Sequence, residues 1–150
     1  MKNRHGFVSN SSSSSFVVIG MTPIVRLEVD DPHDYQLGSE GECEFGWGPS
    51  DIHDVYSRLN FALLQAMLSE KQGISFAMEM FRDSISEHTN IKEFTNVLTL
   101  GWNEHSEKRH GYIDHQSSCP NNMEIFDSRT MLDAFLFSPD SVIHLDNDNH

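Results

Sequence analysis

Long apolar runs are missing from this sequence. No window approaches the roughly eighteen continuous apolar residues that a membrane span requires, and the segment after Met1 is polar and serine-rich, without the apolar centre of a signal peptide. A cytoplasmic protein with no membrane contact is the expectation. Cysteine is scarce too: Cys43 and Cys119, 2 in 150 residues, are too few and too isolated for a disulfide framework or a zinc knuckle. Both are read as thiols in a reducing compartment. Basic residues are also few, with 10 Lys and Arg against 23 Asp and Glu and a net charge of -13. Between Glu28 and Asp54 every charged residue is acidic, and after Gly111 only Arg129 is basic. A surface of that sign repels phosphate, which argues against direct binding of nucleic acid or of an anionic membrane. There is no internal repeat.

What is present suffices for a folded domain. A chain of 150 residues with 37% hydrophobic and 10% aromatic content lies well away from disordered composition, and its length suits one core. Residues 1–150 are therefore read as a single domain, with a Ser-rich motif over 1–15 and an acidic tail over 146–150. Two explanations of the acidity compete. The chain could imitate nucleic acid and occupy the basic groove of an enzyme, or the charge could serve solubility alone.

Phe16 to Gly20 and Pro23 to Val29 are β-branched, aliphatic runs separated by a turn, so a hairpin or two neighbouring strands is expected, with Val25, Leu27 and Val29 on one face. His33 to Gly41 reads as an exposed acidic loop. Glu42 to Trp47 reads as a short strand with Cys43, Phe45 and Trp47 on one side. From Asp51 to Lys71, Ile52, Val55, Tyr56, Leu59, Leu63, Ala66 and Met67 follow the spacing of one helical face, with Ser50 placed to cap the first amides. Gln72-Gly73 breaks that helix. Ile74, Ala77, Met78, Phe81 and Ile85 trace a second one ending near His88, and the short connection favours an antiparallel pair. Phe94 to Leu100 is assigned as a strand, Glu104 to His110 as polar loop, Gly111 to Gln116 as a short extended piece, Asp127 to Phe137 as a third helix and Ser141 to Leu145 as a closing strand. Together these predict an α+β fold: a small, mostly antiparallel sheet packed against an antiparallel helical pair and a third short helix.

The first twenty residues carry the sharpest pattern. Arg4-His5-Gly6-Phe7-Val8-Ser9-Asn10 runs into Ser11 to Ser15 and then Phe16-Val17-Val18-Ile19-Gly20. The serines lie between two apolar clusters, which places them at the lip of a strand. This segment resembles the amino terminus of a scattered set of small bacterial and bacteriophage proteins that begin Arg-x-Gly-Phe-Val-Ser-Asn, then serines, then Phe and an aliphatic run. Phe45-Gly46-Trp47 with the following Leu59-Asn60, and Tyr112 to Ser117 with Asn147-Asp148-Asn149, resemble the same group. The motif positions are Gly6, Phe7, Ser9, Asn10, Phe16, Trp47 and Asn60. The resemblance implies a phage or mobile-element accessory protein and brings no catalytic role with it. Asn60, beside Leu59 and Leu63, is expected to be partly buried and hydrogen-bonded, serving structure first.

Catalytic constellations are weaker. The chain has 9 histidines, and His105, His110, Asp114 and His115 form the densest group. Imidazole and carboxylate suit a divalent transition metal, with His110, Asp114, His115 and a remote His144 as the candidate ligands. The spacing matches neither a helical i, i+4 pair nor a zinc ribbon, and exposed loop histidines are the alternative. Asp146-Asn147-Asp148-Asn149 lacks the glycine and distal glutamate of a calcium loop. Cys119 follows His115 by four residues, but Pro120 comes next and no helix N-terminus is marked. The serine run lacks the glycine frame of a nucleophile elbow or phosphate loop, although its amides could bind an anion and its hydroxyls could be phosphorylated.

Two functions are expected from these residues. The first is an acidic protein-binding module acting on a host or phage protein, with a basic surface as the complementary feature. The second is a metal-dependent hydrolase or transferase built on His110 to His115. No other cofactor is implied.

Overall fold

The computed structural model describes residues 16–39, 42–45, 50–71, 75–98, 101–103, 108–110, 112–113 and 123–145. Its strands are β1 (Phe16–Val18), β2 (Tyr35–Leu37), β3 (Glu44–Phe45), β4 (Ser50–Ile52), β5 (Phe94–Asn96), β6 (Gly101–Asn103), β7 (Lys108–His110), β8 (Tyr112–Ile113) and β9 (Val142–Leu145). The helices are α1 (Val55–Lys71), α2 (Phe76–His88) and α3 (Arg129–Phe137), the last preceded by a 3-10 turn at Met123–Phe126. The fold is α+β, as the mixture of strand and helix patterns predicted.

Strand β9 is the middle of a three-stranded antiparallel sheet, with β1 and β4 on its two sides. The period-2 alternation of Val142-Ile143-His144-Leu145 buries Ile143 and Leu145 and leaves the other two partly exposed. The remaining strands form two-stranded ladders: β2 with β5 and β3 with β8, both parallel, and β6 with β7, antiparallel.

Helix α1 lies at the centre. Every residue from Arg58 to Ala66 is buried, with α2, α3, β2 and the 3-10 turn packed against it. The one-sided face expected there is present, but Phe61, Ala62 and Leu64 on the other sides are enclosed as well, the condition of a helix surrounded by protein. Its start also differs from expectation. Ser50 to Ile52 is strand β4, and the cap is Asp54, whose Oδ2 accepts from the Ser57 N–H at 2.9 Å. Helix α2 buries Ala77, Met78, Phe81, Ser84 and Ile85, and α3 buries Leu132, Phe135, Leu136 and Phe137. Ala77, Met78, Phe81 and Ile85 are the face expected for α2, Ile74 lying outside the described residues, and Met131 on α3 is half-buried. The Ser128 side chain caps α3 through the Met131 N–H at 3.0 Å.

A helix leaves its last carbonyls without intrahelical partners, and the end of α3 shows where the rest of the chain meets them. Ala134 C=O accepts from Ser141 Oγ, Phe135 C=O from Arg58 Nη1 and Phe137 C=O from the Val25 N–H, at 2.7, 3.0 and 3.0 Å. Arg58 also donates to the Ser138 C=O at 2.7 Å.

That junction explains why Pro23 to Val29 is not the second strand of a hairpin. Gly20 N–H donates to Ser141 Oγ at 2.8 Å, and the Asp140 carboxylate accepts from the N–H groups of Met21 and Thr22, both at 3.2 Å. These bonds turn the chain away from β1. Residues 25–29 then run along the ends of α3 and α2, with a single parallel bridge between Leu27 and Thr89. Leu27 and Val29 face inward, but Val25 stays 58% exposed. Two expected loops also contain strands. His33 to Gly41 holds β2, whose Leu37 is fully buried, and Glu104 to His110 ends in β7.

Candidate functional site

Among the described residues, three groups of polar side chains bear on function. The first is an acidic shelf. Glu28, Asp30, Asp31 and Asp34 are all exposed on the segment leading into β2, and Glu93 joins them because the amides of Lys92 and Glu93 both donate to the Pro32 C=O, at 2.7 and 3.2 Å. The cations nearby are Arg26, paired to Glu28 through Nε at 2.6 Å, and the exposed Lys92. Carboxylates therefore outnumber cations on this surface. Beside it lie exposed apolar side chains: Met21 is 93% exposed, Val25 58% and Ile24 39%.

The second is the Asn60 node. This side chain is fully buried on α1. Its Oδ1 accepts from the Gly38 N–H at 2.8 Å and lies 3.3 Å from the Cys43 thiol, while Nδ2 donates to the Tyr56 C=O at 3.0 Å. Asn60 thus ties the turn after β2 and the approach to β3 to the central helix, a structural role and one anticipated from its neighbours Leu59 and Leu63. Tyr35 stands edge-on to Tyr56 at 6.3 Å, and burial, with a contribution from Tyr56, raises its phenol pKa.

The third was not foreseen. Asp133 on α3 accepts from Ser84 Oγ at 2.5 Å and from Arg129 Nε at 2.9 Å, while its other oxygen lies 3.1 Å from His88 Nε2. Arg129 also bonds Glu87. Burial alone would raise the Asp133 pKa, but hydrogen bonds from Arg129 and Ser84, with His88 close by, outweigh it and hold the carboxyl below its ordinary value. The bond to Asp133 raises the Arg129 pKa in turn. Glu87, His88 and Asp133 each bring one potential ligand atom within 4.8 Å of the others. However, Arg129 already bonds both carboxylates, so the cluster reads as a polar bolt between α2 and α3. The i, i+4 spacing of Arg129 and Asp133 on one helix was the available signal.

The predicted metal ligands are only partly described. His144 lies on β9, with its ring stacked on Phe16 at 4.7 Å and Nδ1 2.5 Å from Asp51 Oδ1. His110 is on β7, paired with Gly101, and Asp114 and His115 lie outside the described residues. Among the motif positions, Phe16 and Asn60 are placed as above, whereas Gly6, Phe7, Ser9, Asn10 and Trp47 lie outside the described residues, as does Cys119. The adjacent carboxylates Asp30 and Asp31 are exposed, the usual state of acidic loops. Arg58, which the helical spacing sets as a polar residue flanking the apolar face of α1, is only 2% exposed, a degree of enclosure rare for arginine. Its position between Val55 and Ala62 on an apolar helix face was the clue. Burial lowers its pKa, against the raising charges of Asp54 and Asp140.

No helix among the described residues is long and apolar enough to cross a membrane. No protein-family model, no curated protein and no solved structure matches the chain.

Proposed function

We propose that this protein is an acidic protein-binding module, an accessory protein of phage type that acts by engaging a host or viral protein through a basic surface on that partner. The observation that carries the reading is the acidic shelf: Glu28, Asp30, Asp31, Asp34 and Glu93 stand exposed with few cations among them, next to exposed Met21, Ile24 and Val25. Like charges gathered on one surface cost self-repulsion, which a complementary partner relieves, and they accelerate encounter with an oppositely charged surface. Apolar side chains beside the charge supply the contact area that charge alone does not.

The test compares the full chain with a variant carrying Asp30→Asn, Asp31→Asn and Asp34→Asn, each used to capture proteins from the cells that naturally express it, at low and high salt. A basic protein retained by the parent, released by salt and lost by the variant is the expected result. Equal capture by both proteins at high salt would remove the electrostatic argument.

A further inference from the structure

We infer that the outer edge of residues 24–28 is a strand-addition site, which takes an extended segment of a partner protein with alternating basic and apolar side chains. The proposal rests on the acidic protein-binding reading and specifies how binding occurs.

The argument begins with backbone polarity. In an extended chain the N–H and C=O of one residue point to the same edge, and those of the next residue to the opposite edge. Here alternate residues are satisfied inward: the Val25 N–H by Phe137 C=O, the Leu27 N–H by His88 C=O, the Leu27 C=O by the Asn90 N–H, and Val29 by the Asn90 side chain. The intervening residues, Ile24, Arg26 and Glu28, are exposed, and among the described residues neither their N–H nor their C=O groups have a hydrogen-bond partner. Helix ends have taken the place of a neighbouring strand on one side, and among the described residues the other side is an open edge.

Such an edge is a template for another chain. Edge strands are often blunted by charge, and Arg26 and Glu28 serve that end against other acidic or neutral strands. They do not disfavour a basic one, since Arg26 is already paired with Glu28 and its Nη1 donates to Glu87 C=O. Glu28 and Asp30, two residues apart and so on one face of an extended chain, would meet alternate lysines or arginines of the incoming segment. The apolar side chains on its other face would lie against exposed Val25, with Met21 beyond.

The probes are an acetylated, amidated peptide of alternating Lys and Val and a twin in which the backbone amides along one edge are N-methylated. The twin keeps every charge but cannot pair as a strand. Binding is followed by fluorescence anisotropy and by backbone-amide NMR on the full chain. The expected result is that the parent peptide binds, the twin binds at least tenfold more weakly, and the shifts concentrate at Ile24, Arg26 and Glu28. Arg26→Pro, which removes an amide the fold leaves unbonded, should abolish binding; if that variant fails to fold, the twin and the shift pattern still decide. Equal binding of both peptides, weakened by Asp30→Asn with Asp31→Asn, would overturn strand addition while leaving the acidic-surface reading intact. Binding by neither peptide overturns strand addition, and the capture experiment above then judges that reading separately. A concentration-dependent dimer with shifts at the same three amides would give the edge to a second copy of this chain and overturn the proposal.

Discussion

Asn90 pairs with Val29 as a neighbouring strand would: Oδ1 accepts from the Val29 N–H at 2.8 Å and Nδ2 donates to its C=O at 2.9 Å. One carboxamide thereby satisfies both main-chain groups of a half-buried residue, because it carries the same donor and acceptor as a peptide group. Asn90→Ala should destabilise the fold by about 1–3 kcal/mol, the cost of stranding such groups. Denaturant unfolding measures the loss. Hydrogen exchange should locate it at Val29, where the wild-type amide is protected and the variant's is not.

Arg58 has two acceptors at the end of α3, the Phe135 and Ser138 carbonyls, and its side chain is buried. Arg58→Met fills similar volume but strips the Phe135 carbonyl of its side-chain donor, while the Ser138 carbonyl keeps the Ser141 N–H at 3.1 Å; the expected loss is roughly 1–3 kcal/mol. Arg58→Lys should recover only part, since both bonds come from Nη1 and the shorter lysine stem does not carry its nitrogen that far. An equally stable Arg58→Lys would show that charge, and not geometry, holds the junction.

The turn after β2 depends on Gly38 and Asn60 together. Gly38 has φ of +86°, and a Cβ there would lie 2.7 Å from both the backbone nitrogen and Cβ of Leu98. Gly38→Ala is expected to cost at least about 1–3 kcal/mol in backbone strain. Asn60→Asp keeps the acceptor for the Gly38 N–H but loses the donor to the Tyr56 C=O and buries a charge. Its midpoint in urea should fall at neutral pH and recover partly in acid, where the new carboxyl protonates.

Asp133 predicts an acid limb. Its folded pKa lies below the ordinary value of about 3.9, so the stability it contributes is complete above that value and is lost as pH falls through the folded one. Asp133→Asn should therefore be less stable than wild type at neutral pH, with the difference closing below about pH 4. Thermal unfolding from neutral pH to pH 2 tests this. A difference that stays constant over the range would mean that Asp133 acts by shape and not by charge.

The legible part of the fold was the part in which burial follows local periodicity. Helices α2 and α3 each press one face on the core, so Phe81 with Ile85 and Leu132 with Phe135 announce them. Asn60 was legible because its neighbours on α1 are apolar. Strand β2 was not: three residues with only Leu37 fully buried carry too little alternation to stand out from an acidic loop. Pro23 to Val29 misled in the opposite direction, since β-branched residues favour extended backbone whatever satisfies its hydrogen bonds, and here helix termini do. The Ser84, Glu87, His88, Arg129 and Asp133 cluster joins two helices distant in sequence, and only their packing reveals it. The acidic shelf was visible as charge, but its juxtaposition with Glu93 and the open edge required the fold.

Strand β9 also constrains how the molecule is made. Neither β1 nor β4 pairs with the other; each needs β9, and the bond that anchors the turn after β1, Gly20 to Ser141, spans 121 residues. Contacts of such separation form late, because loop closure must precede any gain. During synthesis the early strands wait on the ribosome with their edges unpaired while the helices have local partners. A chain halted before Val142 therefore lacks the strand with which both β1 and β4 pair.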